Sequence, residues 1–465
     1  MCRAKRLSSR LILAACLLLA AGSASPVQSQ TPASTATLFE GGRLITGDGS
    51  GPIENSAFVV ENNRFTAVGR RGEVMAPSGT ARVELTGKTV MPALIDAHSH
   101  IGYMRNLTSG PQNYTRENIL DHMHKFAYFG VAASMAMGSD FGDLPFQLRD
   151  EIQAGKYPAA ARFLTAGRGL APVDEIKPGN MRHSAYLVTT EEDARAGVRE
   201  AAAHGVTMVK TWVDSRGGTV RKLTPPLFTA IIDEAHKRNM RVVVHATGLA
   251  DVKALIGTGM DGFAHMVNDV DDELMDLLKQ RPNTFFTLAL GGLRRQLYSP
   301  WLNPPHPLVS ETVWPDQIKR LQDRLAKGPA PTAQQNWDRI ARGVARFAAA
   351  GVRIGVGTDG GGQQGDQFIG WTMHTELENM VAAGMTPAQV MVAATRTSAG
   401  IHGLDDLGTV AVGKSADFVV LDANPLDDIT NTRRINRVYL RGQEVPRAEM
   451  LAKWQAEFRA AATTR

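Results

Sequence analysis

Cysteine is nearly missing from this chain. Its 465 residues contain two, Cys2 and Cys16, both within the first thirty. The rest therefore has no disulfide and no thiol nucleophile, and any metal must be held by histidine, carboxylate or a less usual group. Long hydrophobic runs are also scarce. The one at the N-terminus, "LILAACLLLAAG", is too short for a comfortable transmembrane anchor, and no other run reaches spanning length. Charge of one sign is lacking once that N-terminus is set aside. The formal net charge is +5, and the first thirty residues hold Arg3, Lys5, Arg6 and Arg10 with no acid, which leaves 5 − 4 = +1. Such a balance gives no electrostatic basis for binding nucleic acid.

The basic start, the short apolar run and the small residues of "SASPVQSQ" read as a secretory signal peptide over residues 1–30. The mature protein is expected to be secreted or periplasmic. "LAAC", ending at Cys16, is similar to a lipoprotein box. The apolar run continues past the cysteine, however, and Leu17 is an unfavourable residue after it, so simple cleavage is expected over lipid anchoring at Cys16.

What remains is long enough for one large barrel and a smaller domain. From residue 37 to about 90, "TATLFEGGRLITGDG" and "SAFVVENNRFTAVG" alternate apolar and polar residues between Gly and Asn turns, the pattern of short antiparallel strands. Eight apolar runs follow: "VMPALIDAH", "GVAASMAMG", "ARFLTAG", "VTMVKTWV", "RVVVHAT", "GFAHMV", "TFFTLAL" and "VRIGVGTD". Helical patterns separate most of them. One, "TTEEDARAGVREAAAHG", opens with a capping box that pairs Thr189 with Glu192. Eight strand–helix units over about 300 residues predict an α/β fold, a (β/α)8 TIM barrel at 91–400. Short strands return at 401–446 and would complete a small β-sandwich domain with the N-terminal segment. Residues 447–465 are expected to form a C-terminal helix or tail.

"LIDAHSHIGY" ends the first run with two histidines on one face of a strand, since residues two apart point the same way. Other runs end in similar chemistry. Lys210 lies in the fourth, His245 in the fifth, His265 in the sixth and Asp359 in the eighth; the second, third and seventh supply nothing. The C-terminal ends of barrel strands are where such folds place their chemistry. Histidine and aspartate suit Zn2+ and similar divalent ions. A lysine ammonium does not, but Lys210 is flanked by Val209, Trp212 and Val213, and desolvation disfavours its charged form. A neutral amine reacts with CO2 to give an anionic carbamate whose two oxygens bridge two metals.

With "DAHSH", "VKTWV", "VVVHA", "FAHM" and "GVGTDG" together, the chain resembles the amidohydrolase superfamily, specifically its imidazolonepropionase-like and prolidase-like members. The resemblance runs from "GGRLITGDG" through "LGTVAVGKSADFVVLDANP". It implies two divalent ions, Zn2+ being expected. His98, His100 and Asp359 would hold one, His245 and His265 the other, and N6-carboxylated Lys210 would bridge them. The second run departs from the common pattern, because "SMAMGSD" lacks a Thr-rich, Arg-Asp ending.

A two-metal site makes hydroxide available near neutral pH. Asp359 would then take the proton of the attacking water and pass it to the leaving nitrogen. The expected reaction is hydrolysis of an amide in a small molecule, a dipeptide or an N-acyl amino acid. Tyr103 is a candidate to bind substrate or its oxyanion, and Arg216, Arg294 and Arg295 are candidates to grip a substrate carboxylate. Two alternatives stand beside this reading: a ring-opening hydrolase of a cyclic amide or lactone, and a catalytically inactive binding protein on the same fold. A homo-oligomer is expected. The other histidines are assigned no ligand role. His122 and His124 are two apart in a helical pattern, which turns them roughly 200° from one another and makes them solvated helix residues. His204, His236 and His402 fall in helical or loop contexts, and His183, His306 and His374 in loops or helices after the third, seventh and eighth runs.

Overall fold

The computed structural model describes residues 36–172, 181–215, 217–362 and 367–463. The signal-peptide expectation at residues 1–30 and Arg216 lie outside them. Each of the eight apolar runs contains one parallel strand: β1 (Leu94–Ser99), β2 (Val131–Ala136), β3 (Arg162–Thr165), β4 (Met208–Trp212), β5 (Arg241–His245), β6 (Gly262–Ala264), β7 (Phe285–Thr287) and β8 (Arg353–Gly355). They read as continuous apolar runs because both faces are covered, as parallel strands require.

The strands fall into two sheets. One has the order β3-β2-β1. The other holds β4 to β8 in sequence, preceded by the short strands Tyr186–Leu187 and Leu170–Ala171. Backbone hydrogen bonds join the two at both seams. At one, the N–H groups of Ala97 and His100 donate to Val356 and Gly360 at 2.7 Å each. At the other, Leu170 pairs with Thr211 while Gly169 donates to Gly138 at 2.9 Å. Every strand therefore ends at one rim, where the candidate ligands stand.

Two further sheets are built from the chain's ends. The first comprises Thr37–Glu40, Ser56–Glu61, Arg64–Arg70 and Ala81–Glu84. The second pairs Thr89–Pro92 antiparallel with Phe418–Leu421, so the C-terminal segment completes a sheet begun by the N-terminal one. Phe39, Phe58, Phe65, Phe418 and Tyr439 fill a shared apolar cluster, with Phe39 stacked on Phe58 at 5.0 Å and Phe418 on Tyr439 at 4.5 Å. The C-terminal helix runs Arg447–Thr463.

Two local expectations are corrected. The capping box of helix Glu191–Ala203 uses Thr190 and Asp193, one residue later than Thr189 and Glu192. Asp193 accepts from the backbone N–H of both Thr189 and Thr190, at 3.0 and 2.9 Å, so the shorter carboxylate satisfies two donors that Glu192 does not. His122 is buried rather than solvated, because its ring faces the turn that follows β1. His122 Nδ1 accepts from the Gly102 N–H at 3.1 Å, and burial lowers its pKa to about 4. His122→Asn is therefore a stability probe. We expect a loss of about 1–3 kcal/mol, read as a lower Tm, from an unsatisfied buried group.

Candidate metal centre

The parallel strands bring the six predicted groups to one rim. Asp359 Oδ1 lies 2.9 Å from His100 Nε2 and 3.4 Å from His98 Nε2. The His98 and His265 rings are 5.0 Å apart and those of His245 and His265 are 4.6 Å apart. Ligand atoms from His98, His265 and Asp359 all fall within 4.8 Å of one another. Lys210 stands among these residues, close enough for its charge to depress the pKa values of His98, His245 and His265.

The donor set fits divalent metal. Both ring nitrogens of His98 are buried and neither makes a hydrogen bond. An imidazole with no partner in a protein interior is unfavourable unless something else occupies its lone pair. Burial, followed by the charge of Lys210, holds His98 neutral and well below its usual pKa. Burial, followed by the charge of His245, does the same for His265. Neutral imidazole is the ligating form. Burial opposes ionisation of Asp359, but the His100 hydrogen bond and the surrounding histidines overcome it and hold the carboxylate well below the usual range.

Lys210 is 1% exposed, and burial lowers its pKa to about 7. Among the described residues it makes no ion pair within 4 Å. A buried ammonium without a counter-ion is costly, whereas a neutral amine or its carbamate removes that conflict. The lysine packs directly on Gly138, whose φ is +79°. A Cβ there would lie 2.7 Å from Lys210 Cγ and 2.8 Å from its Cβ. Gly138→Ala is accordingly expected to lose about 1–3 kcal/mol through overpacking and to displace Lys210. A thermal melt with metal analysis checks this; an unchanged Tm with unchanged metal retention would contradict the close approach.

Residues that the sequence reading did not single out hold the ligands in place. Asp96 is fully buried beneath them. It accepts from the backbone N–H of His98 at 3.2 Å and of Thr358 at 3.1 Å, and from the Thr358 hydroxyl at 2.6 Å, so it ties β1 to the end of β8. Burial raises its pKa to about 7. Ser139 contacts His100 Nδ1 at 3.0 Å, and Gln367 donates to Asp359 Oδ2 at 3.0 Å. A Cβ at Gly357 would stand 2.7 Å from His98 Cβ, so glycine is needed where β8 passes β1. His265 and Asp359 both have left-handed backbone, φ 89° and 55°. Their N–H groups are fixed to Thr287 and His98 carbonyls at 2.8 and 2.9 Å, which sustains that conformation. One signal was available for Asp96: it shares strand parity with His98 and His100.

The substrate candidates separate. Arg295 is buried, its pKa lowered to about 10 by desolvation, and it lies within the fields of Glu376 and Asp359. Arg294 lies over the Tyr298 ring at 4.6 Å and the Trp337 ring at 5.6 Å, and bonds Asn379 at 3.3 Å, so its contacts are with helix packing. Tyr103 is buried in the turn after β1, its carbonyl accepting from Gly110 and Asn113 at 3.0 Å each. The remaining histidines have other partners. His374 bonds the Phe129 carbonyl at 3.1 Å, His402 the Ala97 carbonyl at 3.2 Å and His236 Asp261 at 2.9 Å. His306 accepts from the Leu308 N–H at 3.2 Å and caps a helix, and His204 stacks on Phe146 at 4.2 Å. His183 lies edge-on to Phe141.

The model of the amidohydrolase family matches residues 89–445, most of the chain, a range that includes the six candidate ligand residues. The chain belongs to the amidohydrolase family. Ochratoxinase of Aspergillus niger is 24% identical over 443 residues, covering 87% of this chain and 84% of that protein. A 5-methylthioadenosine/S-adenosylhomocysteine deaminase of Desulforudis audaxviator is 40% identical over 397 residues, covering 80% and 83%. Among solved structures, a putative prolidase from Bifidobacterium longum superposes with a TM-score of 0.69 at 27% identity, covering 92% of this chain and all of that one. The fold is thus TIM-barrel-like α/β. This amidohydrolase is a hydrolase acting on carbon–nitrogen bonds of small molecules, in a family that is generally metal-dependent. Among the described residues no helix is long and apolar enough to cross a membrane.

Proposed function

We propose that this amidohydrolase is an exported binuclear enzyme that hydrolyses a peptide-like amide in a small carboxylate-bearing molecule, a dipeptide or an N-acyl amino acid. The observation that carries the reading is Lys210, buried among four histidines and an aspartate and, among the described residues, without an ion-pair partner. A single tetrahedral site does not need six donors. In this reading β1 to β8 form a closed (β/α)8 barrel and the two terminal sheets a β-sandwich. His98, His100 and Asp359 would hold one ion, His245 and His265 the other, and carboxylated Lys210 the shared anionic position.

Two divalent ions such as Zn2+ supply polarisation of the scissile carbonyl and lower the pKa of the attacking water. Asp359 takes the proton that water loses and delivers it to the nitrogen as the C–N bond breaks. The products are a carboxylate and an amine. Gln367 holds Asp359 Oδ2, so the carboxylate keeps one rotation while Oδ1 faces His98 and His100. Arg295 would ion-pair with the substrate carboxylate; its burial within the field of Asp359 supports this reading. The likeness to a deaminase favours a second reading, hydrolytic removal of an amino group from a heterocycle.

Elemental analysis and a substrate screen test both. The expected outcome is about two ions per chain in fully active protein and turnover of dipeptides or N-acyl amino acids over lactones, phosphotriesters and 5-methylthioadenosine. Full activity with one ion per chain would reject the binuclear reading. Turnover of the adenosine compound alone would favour the second.

A further inference from the structure

Asp214 lies just past β4, four residues after Lys210 and on the same face of the extended chain. Its Oδ2 is 2.8 Å from His245 Nε2. A carboxylate has no hydrogen to give, so Nε2 carries the proton in this contact and Nδ1 is left with the lone pair. Arg182 holds Asp214 from the other side. Its guanidinium bonds Oδ1 at 3.3 Å and Oδ2 at 3.2 Å, and stands 5.0 Å over the Trp212 ring. Arg182 is 3% exposed, so this clamp is part of the interior.

Two carboxylates thus touch the histidines of the centre, in different ways. Asp359 faces His98 and His100 together, lies within ligand distance of His265, and its other oxygen accepts from the neutral Gln367 amide. Among the described residues, Asp214 pairs with the ring of His245 and has both oxygens engaged by the Arg182 guanidinium. A carboxylate already neutralised by arginine is a poor metal ligand and a good orienting acceptor.

We propose that Asp214, clamped by Arg182, is the positioning residue of His245: it fixes the imidazole with Nε2–H turned to the carboxylate and Nδ1 turned to the second ion. This rests on the binuclear reading above. Arrays in which a carboxylate orients a metal-ligating histidine typically lose about 10–100-fold in metal affinity when the carboxylate is removed.

The test is a stepwise titration of the metal-stripped full-length protein with Zn2+ against a chromophoric chelator, with thermal melts of the stripped proteins as a folding control. Wild type is expected to show two steps. Asp214→Ala should weaken one step about 10–100-fold and leave the other unchanged. Asp214→Asn, whose amide oxygen still accepts from Nε2–H, should recover most of that loss. Two wild-type steps retained in Asp214→Ala would overturn the proposal alone. Asparagine as damaging as alanine would overturn it in favour of direct ligation by the carboxylate. A single step in wild type would remove the binuclear reading and this proposal with it. If Asp214→Ala does not fold, Asp214→Asn with Arg182→Gln decides: the expected result is a weakened step in Arg182→Gln and near-normal steps in Asp214→Asn, and the reverse order overturns the proposal.

Discussion

Asp359→Asn is expected to bind both ions at close to normal affinity and to lose at least about a hundredfold in kcat, the usual scale for loss of a general base. Asparagine keeps the size of the side chain and an oxygen for the metal, but its amide does not take a proton from water. The surroundings tolerate the change. Gln367 now donates to Oδ2 at 3.0 Å and can rotate its amide to present an oxygen to the new N–H2. The fixed backbone of Asp359, bonded to the His98 carbonyl at 2.9 Å, is untouched. Metal content and kcat measured on one preparation check this. Most of the turnover surviving with both ions bound would show that another group moves the proton.

Lys210→Ala is expected to weaken binding of the metal pair by more than about a hundredfold, beyond the range for an outer-shell partner, while the barrel still folds. The lysine is fully buried, so its loss leaves a cavity against Gly138 rather than an open surface. It also removes an amine whose pKa burial lowers to about 7, so the stripped variant should not melt far below wild type. Short carboxylic acids such as acetate or propionate enter that cavity and supply the missing anionic oxygens, and partial rescue by them is expected. Wild-type protein should show carbamate mass on Lys210 under CO2. An unmodified amine in a metal-replete, well-resolved site, or undiminished metal affinity in Lys210→Ala, would refute the bridge.

The parts of the site that were legible share one property: they lie in strands or within four residues beyond them. Strand parity puts His98 and His100 on one face, and buried apolar runs locate His245, His265, Lys210 and Asp359 near the C-terminal ends of β5, β6, β4 and β8. Helix surfaces were less legible. His122 looks solvent-facing from its own helix, but the turn after β1, twenty residues earlier, takes its ring as a hydrogen-bond acceptor. Arg294 and Arg295 are equivalent in sequence, yet one packs on Tyr298 and Trp337 and the other is buried within the field of Asp359. Which side of a short turn a residue takes depends on neighbours from other elements.

The sequence by itself determined the eight strand-forming runs, the pairing chemistry at their ends and the absence of any thiol after residue 30, because local hydrophobic pattern and residue type suffice for those. Only the tertiary structure decided which polar groups support the ligands. Asp96 reaches Thr358, Ser139 reaches His100, Gln367 reaches Asp359, and Arg182 reaches Asp214 and through it His245. Asp96–Thr358 joins the two sheets, Ser139–His100 and Asp214–His245 join the ends of neighbouring strands, and Gln367–Asp359 closes one loop after β8. A hydrogen bond depends on distances of a few tenths of an ångström, and sequence spacing does not encode them.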